Sequence, residues 1–327
     1  MKTARRFAAL IGASTLALTL TACGSGTAEN SESGNAETVS IETNDGTVEV
    51  PKNPKKVVAL DNRSFQTLED WGVKPVAAPR KIVPKSLELR EDESVVDLGN
   101  HREPDLEAIV AAEPDVIITG QRFTQHTDKI KELAGDTPIV DLEPRDGKPL
   151  DEEFKRQTTA LGEIFGKEQE ADELVKKFED AEKAAKDSYN KDQTVMGLIS
   201  TGGNLNYSAP SQGRGAGPLF GMVGLKPALD VPEASEDHEG DDVSVEAIAK
   251  SNPDWIIVMD RDAAVTMPEG EKYQPAKDVV SNSAALKNVT AVKEGHVLYM
   301  PEDTYTNESI QTYTEALENL AEEFGKQ

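Results

Sequence analysis

Two arginines stand at the same distance from the same local motif. Pro114-Asp115-x-Ile117-Ile118 is followed by Arg122, and Pro253-Asp254-x-Ile256-Ile257 by Arg261, eight residues after the proline both times. A guanidinium stays charged, donates through a fixed fork and stacks on aromatic faces, so arginines at matching strand ends are candidates for ligand binding rather than solvated surface charges. Seven residues before each proline lies a glutamate, Glu107 and Glu246. A carboxylate near a helix start is favoured by about 0.3–1 kcal/mol, which accounts for either one alone. Other reactive types are scarce: four histidines (His101, His126, His238 and His296) and one cysteine, Cys23. There is no Gly-x-Ser-x-Gly or His-Glu-x-x-His motif, and Gly213-x-Gly215-x-Gly217 lacks the full spacing of a dinucleotide fingerprint. The chain is therefore not expected to be an enzyme, and scattered histidines argue against a bare zinc or manganese receptor.

The matched positions belong to a longer internal repeat. Glu107-Ala108-Ile109 recurs as Glu246-Ala247-Ile248, and Gly72-Val73-Lys74-Pro75 is echoed by Gly224-Leu225-Lys226-Pro227. Matches in the same order predict two related lobes. Thr38–Glu42 and Thr47–Pro51, alternating runs around Asp45-Gly46, predict a hairpin. Apolar runs at 56–60, 116–119, 139–142, 195–199, 255–259 and 297–300 then alternate with helical patterns, which argues for an α/β fold with parallel sheets. Between the halves, Leu174, Val175, Phe178, Ala181 and Ala184-Ala185 fall at helical spacing, and Gly162 and Gly166 separate this stretch from the helix before it. A lone connecting helix over 167–190 follows, with the ligand in a cleft at the carboxyl ends of the strands.

The chain has 327 residues, with 60 acidic against 35 basic and a formal charge of −25. So acidic a surface repels phosphate backbones, and no nucleic-acid partner is expected. Residues 1–22 read as an export signal: Lys2, Arg5 and Arg6 precede an apolar run, Phe7–Leu20, too short to span a bilayer. The following Leu20-Thr21-Ala22-Cys23 resembles a lipobox, in which Cys23 becomes the lipidated first residue of the mature chain. Residues 23–39 are then a flexible tether. Losing the three signal-peptide cations takes the formal charge from −25 to −28. The expected location is the outer face of the cytoplasmic membrane, held through the Cys23 lipid alone.

Over about residues 40–327 the chain resembles class III solute-binding proteins of ABC importers, of the iron–siderophore and cobalamin type. The hairpin followed by Pro54-Lys55-Lys56-Val57-Val58-Ala59-Leu60 carries the likeness, with Leu68-x-x-Trp71-Gly72-Val73, Pro104-Asp105-Leu106-Glu107-Ala108-Ile109 and Leu161-Gly162-x-x-Phe165-Gly166. The resemblance implies two Rossmann-like lobes, here 40–166 and 191–327, joined by a single long α-helix. Within the family it is the catecholate branch that places cleft arginines where Arg122, Arg214 and Arg261 fall. His238 and Tyr305 resemble residues that complete the iron coordination of a tetradentate siderophore there, and Tyr207 is the expected cleft wall. Glu107 and Glu246 occupy positions the family uses to dock on the permease. The implied ligand is a ferric siderophore, with no permanent cofactor, and the partners are an ABC permease and its ATPase; a monomer is expected. The alternatives are another chelate (a ferric hydroxamate, haem or cobalamin) and, further off, an exported enzyme. One departure is the loop Gly213-Arg214-Gly215-Ala216-Gly217, where the branch usually has Gly-x-x-Ser-Arg-Phe-Gly; its glycines suggest flexibility.

Overall fold

Alternating apolar side chains set the register of the first elements. In the computed structural model, which describes residues 37–326 apart from 232–234, 236, 268 and 271, β1 (Thr38–Thr43) pairs antiparallel with β2 (Gly46–Pro51) and buries Ile41 and Val50. The turn is Asn44-Asp45, one residue earlier than Asp45-Gly46, because Thr43 pairs with Gly46, which takes a φ of 110°. Since β1 begins at Thr38, ordered structure starts inside the range read as tether. The export signal, Cys23 and residues 24–36 lie outside the described residues.

The first sheet contains β3 (Val57–Ala59), β4 (Ala77–Ala78), β5 (Val96–Asp97), β6 (Val116–Thr119) and β7 (Ile139–Asp141), all parallel in the order β5-β4-β3-β6-β7. Each central strand is apolar on both faces. Val57, Ala59, Val116 and Ile118 pack on Phe65 and Leu68 of α1 (Phe65–Asp70), while Val58 and Ile117 pack on α2 (Leu106–Ala111) and α3 (Thr127–Ala134) through Ile109 and Ile130. Sheets covered on both sides need such continuous apolar strands.

The second sheet repeats the plan. β8 (Val195–Thr201), β9 (Asn204–Tyr207), β10 (Trp255–Asp260) and β11 (Val297–Tyr299) run in the order β11-β10-β8-β9, with only the β8–β9 pair antiparallel. After α4 (Leu150–Phe165) and α5 (Glu168–Ser188), which lie between the sheets in the chain, its helices are α6 (Gly217–Val223), α7 (Val245–Ser251), the short α8 (Arg261–Ala264), α9 (Ala276–Asn282), α10 (Thr290–Glu294) and the terminal α11 (Ile310–Phe324). The repeat seen in the sequence is kept at the level of single bonds. Asp115 accepts from the backbone N–H of Lys55 and Lys56 at 2.7 and 2.8 Å; Asp254 accepts from the N–H and hydroxyl of Thr194 at 2.7 and 2.9 Å. Each aspartate thus ties the start of its own strand to the start of the strand beside it. Ahead of them, Asp105 and Ser244 cap α2 and α7, and Ile109 and Ile248 are buried at equivalent places.

The helix expected over 167–190 forms at Glu168–Ser188 and packs against the helix before it. α4 (Leu150–Phe165) and α5 (Glu168–Ser188) form a pair, separated where Gly166 takes a left-handed φ of 62°. Gly162 does not break α4; a Cβ there would stand 2.6 Å from that of Ala171, so it allows the two helices to touch. α4 enters both cores, with Phe154 among the second-lobe aromatics and Ala160, Leu161, Ile164 and Phe165 among the first-lobe residues. α5 buries Phe178, Ala181 and Ala185 against the second lobe. Two packed helices resist bending more than one exposed rod, since bending either opens a close-packed interface.

Candidate ligand cleft

Most of the residues that matter here leave the carboxyl end of a strand, while Arg214 comes from the loop before α6. Arg63 follows β3, Gln121 and Arg122 follow β6, Glu143 follows β7, Arg261 follows β10, and the loop 300–309 follows β11. In α/β sheets this end faces a crevice, because the crossover helices return the chain to the other end. The two sheets turn these ends toward each other. An inter-lobe cavity of about 710 Å³ is lined by Arg63, Gln121, Arg122, Glu143, Arg214 and Glu308, with His238 at its second-lobe side.

The three arginines singled out from the sequence converge on one ring. The guanidinium carbons of Arg122, Arg214 and Arg261 lie 5.1, 4.7 and 5.0 Å from the centroid of Tyr305. Arg122 from the first lobe and Arg214 from the second both donate to the Tyr305 carbonyl, at 3.3 and 3.2 Å. A cation over a tyrosine face gains about 0.5–2 kcal/mol, which offsets part of the repulsion among the guanidiniums. Burial lowers the Arg122 pKa, and the charge of Arg214 lowers it further. Its Nε is buried with no acceptor among the described residues, as are those of Arg63 and Arg261. A set of buried donors with unmet capacity, aimed into one cleft, is suited to an anion with several oxygens.

The Arg214 loop is not the flexible one its glycines suggested. A Cβ on Gly213 would lie 2.4 Å from the Ala209 nitrogen, and one on Gly217 would lie 2.6 Å from the Ala209 carbonyl oxygen. Gly215 has a φ of 69°, and its carbonyl accepts from the Tyr313 hydroxyl at 3.1 Å. The Ser208 hydroxyl donates to the Arg214 carbonyl at 2.8 Å. The glycines serve close packing, and that packing holds Arg214 in place.

Residues that the sequence did not single out complete the cluster: Glu308, Gln121, Arg63, Glu143 and Asp61. Glu308, 4% exposed, pairs with Arg214 at 2.7 Å and with Arg63 of the other lobe at 3.6 Å, and accepts from the Gln121 amide. Burial would raise the Glu308 pKa, but Arg214 and Arg63 hold it below the usual carboxylate value. Arg63 also pairs with Glu143 at 3.2 Å. Behind it Asp61, 1% exposed, accepts from Gln157 Nε2 at 2.6 Å, and its pKa is pushed up to about 7 by burial, with Glu143 adding to the shift and Arg63 opposing it. Gly120 makes room for both carboxylates, since a Cβ there would be 3.1 Å from Asp61 Cγ and 3.3 Å from Glu143 Oε2. Arg63 obeys the same strand-end rule as Arg122, but the second lobe has Gly202-Gly203 after β8, so no repeat drew attention to it. Glu308 and Gln121 had no signal in the sequence.

Tyr207 is corrected. It is 2% exposed within the second-lobe core, its hydroxyl donates to the Leu229 carbonyl at 2.8 Å, and burial pushes its pKa up to about 12. It alternates inward on β9 and forms no wall of the cleft. Tyr305 is buried beneath the arginines, and His238 is half exposed on its loop between Asp237 and Glu239. Arg261 lies beside the cavity, paired with Glu239 at 3.1 Å and Asp262 at 3.3 Å. Glu107 and Glu246 sit far from this chemistry, exposed in the first turns of α2 and α7. A larger groove of about 900 Å³ lies on the second lobe among Asn204, Asp242, Tyr273 and Asp278 and holds none of the arginines.

Two helix-covered sheets facing each other across a guanidinium-lined cleft define an α/β solute-binding protein. The chain belongs to the family described as periplasmic binding protein, whose family model matches residues 57–304. It is 33% identical over 310 residues to the petrobactin-binding protein YclQ of Bacillus subtilis, covering 92% of each chain. It is 26% identical over 308 residues to the ferric-anguibactin-binding protein FatB of Vibrio anguillarum, covering 93% of each. The crystal structure of YclQ superposes with a TM-score of 0.75 at 27% identity, covering 89% of this chain and 100% of that one. These relatives are binding proteins.

Proposed function

We propose that this chain captures a ferric siderophore between its lobes and delivers it to an ABC permease, with catecholate-type ligands favoured. The observation that carries the reading is the convergence of Arg122, Arg214 and Arg261 on one buried aromatic ring, with Arg63 beside them. Catechol groups offer charged oxygens for guanidinium forks and ring faces for stacking, and the Tyr305 ring already occupies such an environment. The petrobactin and ferric-anguibactin relatives support iron chelates as the class. A neutral hydroxamate complex, haem or cobalamin gives fewer reasons for four arginines.

The reading extends to other residues. His238, at the cavity edge, and Tyr305 would complete the coordination of a ferric ion whose siderophore leaves sites open. Glu107 and Glu246 present one exposed carboxylate per lobe to basic pockets of the permease. Cys23 anchors the protein by lipid outside the cytoplasmic membrane; no helix among the described residues is long and apolar enough to cross one. The chain acts as a monomer.

The test is calorimetric titration with ferric catecholates, ferric hydroxamates, haem and cobalamin. Intrinsic fluorescence is the weaker readout, since Trp255 opens β10, a full strand away from Arg261, and Trp71 packs behind the first sheet. Sub-micromolar binding of catecholates supports the reading. Tight binding of a hydroxamate with none for catecholates refutes it.

A further inference from the structure

The cleft arginines differ in how far their charge is already neutralised. Arg214 and Arg63 share Glu308, Arg63 also has Glu143, and Arg261 has Glu239 and Asp262. Arg122 alone among them has no carboxylate partner among the described residues; its hydrogen bond goes to the Tyr305 carbonyl. Around the cavity itself, Arg63, Arg122, Arg145, Lys148 and Arg214 face the carboxylates of Glu143, Asp146 and Glu308, leaving two net positive charges with His238 neutral. Glu308 is the buried one of these carboxylates and touches cations from both lobes.

We infer that Glu308 is a specificity-determining residue that sets how strongly the cleft depends on ligand charge. The inference rests on the reading of the cleft as a site for ferric chelates. A buried carboxylate bonded to Arg214 and Arg63 repels every anionic oxygen those arginines attract, so it lowers affinity in proportion to the charge brought in. It also spares the empty cleft the repulsion of Arg63 against Arg214. A highly anionic complex must then gain more from Arg122 and from shape than from bulk charge, and weakly charged chelates are not outcompeted by any polyanion that enters. A residue that only shaped the cavity would change all ligands alike.

The test compares wild type, Glu308→Gln and Glu308→Asp by titration with three ferric complexes of defined charge: a neutral tris-hydroxamate, a singly anionic bis-catecholate and a triply anionic tris-catecholate. Glu308→Gln should tighten binding of the anionic complexes, relative to the neutral one, by roughly three- to tenfold for each unit of ligand charge. Glu308→Asp, which keeps the charge, should keep the wild-type dependence. Should Glu308→Gln not fold, Glu308→Gln combined with Arg63→Gln removes one charge of each sign, and comparing it with Arg63→Gln alone isolates the same carboxylate. Equal changes for all complexes, or weaker binding of the anionic ones, overturn the inference while leaving the cleft reading standing. A wild type that binds none of the three, nor any other ferric chelate, overturns both.

Discussion

The side-chain amide of Asn62 donates to the backbone carbonyl of Thr306 at 2.8 Å, across the boundary between the lobes. Both residues are buried, and the same nitrogen also donates to the Ile82 carbonyl at 2.9 Å. The loop after β11 is therefore held by the first lobe as well as by its own. Gln66 adds to this by accepting from Asn307 and Ser309 at 2.8 and 3.1 Å. Replacing Asn62 with Ala takes the donor from the buried Thr306 carbonyl and the half-buried Ile82 carbonyl and should cost about 1–3 kcal/mol. Denaturant unfolding measures the loss, and hydrogen exchange should rise first in residues 301–309; unchanged stability and exchange would show the loop to be held elsewhere.

Arg122 should matter most for ligand affinity. It is the cleft arginine with no carboxylate partner among the described residues, so its attraction for an anion is not first spent on breaking an ion pair. Arg122→Ala should weaken a ferric catecholate by about 10- to 100-fold, as loss of a hydrogen bond to a charged group implies. Arg261→Ala, which also frees Glu239 and Asp262, should differ in size from it. Titration of the two variants decides the order.

Asp61 should make the protein less stable as pH rises from about 4 to 7. Its carboxyl titrates near 3.8 in an unfolded chain and near 7 in the folded one, so the folded state holds an extra proton in that window. Its stabilising share is complete below the lower value and is lost on passing the upper one. Asp61→Asn should flatten this slope and raise the melting temperature at pH 8 by about 2–4 °C. Thermal unfolding from pH 4 to 8 tests it, and a parallel pair of curves would count against it.

Charge reversal at the two exposed glutamates should separate docking from capture. Glu107→Lys with Glu246→Lys should abolish iron uptake in cells while leaving chelate affinity within about twofold of wild type, since surface charges beyond a Debye length are screened. Normal uptake by the double variant would remove these residues from the docking surface.

Much of this protein was settled by local order along the chain. The strands read at 56–60, 116–119, 195–199 and 255–259 all formed, because short, nearly continuous apolar runs fit a doubly covered sheet. The two-residue strands β4 and β5 were missed, being too short to show any period. Repetition of Pro-Asp with an arginine eight residues on placed Arg122 and Arg261 correctly at strand ends, since a strand's end is a local property. Contacts between lobes are not. That Tyr305 lies beneath three guanidiniums, that Tyr207 turns into the core, and that Glu308 joins Arg214 to Arg63 depend on how two sheets face each other. Residues 63 and 308 are separated by about three quarters of the chain, and no pattern in the sequence encodes a distance between them; only the packing of α4, α5 and the loop after β11 brings their charges within reach.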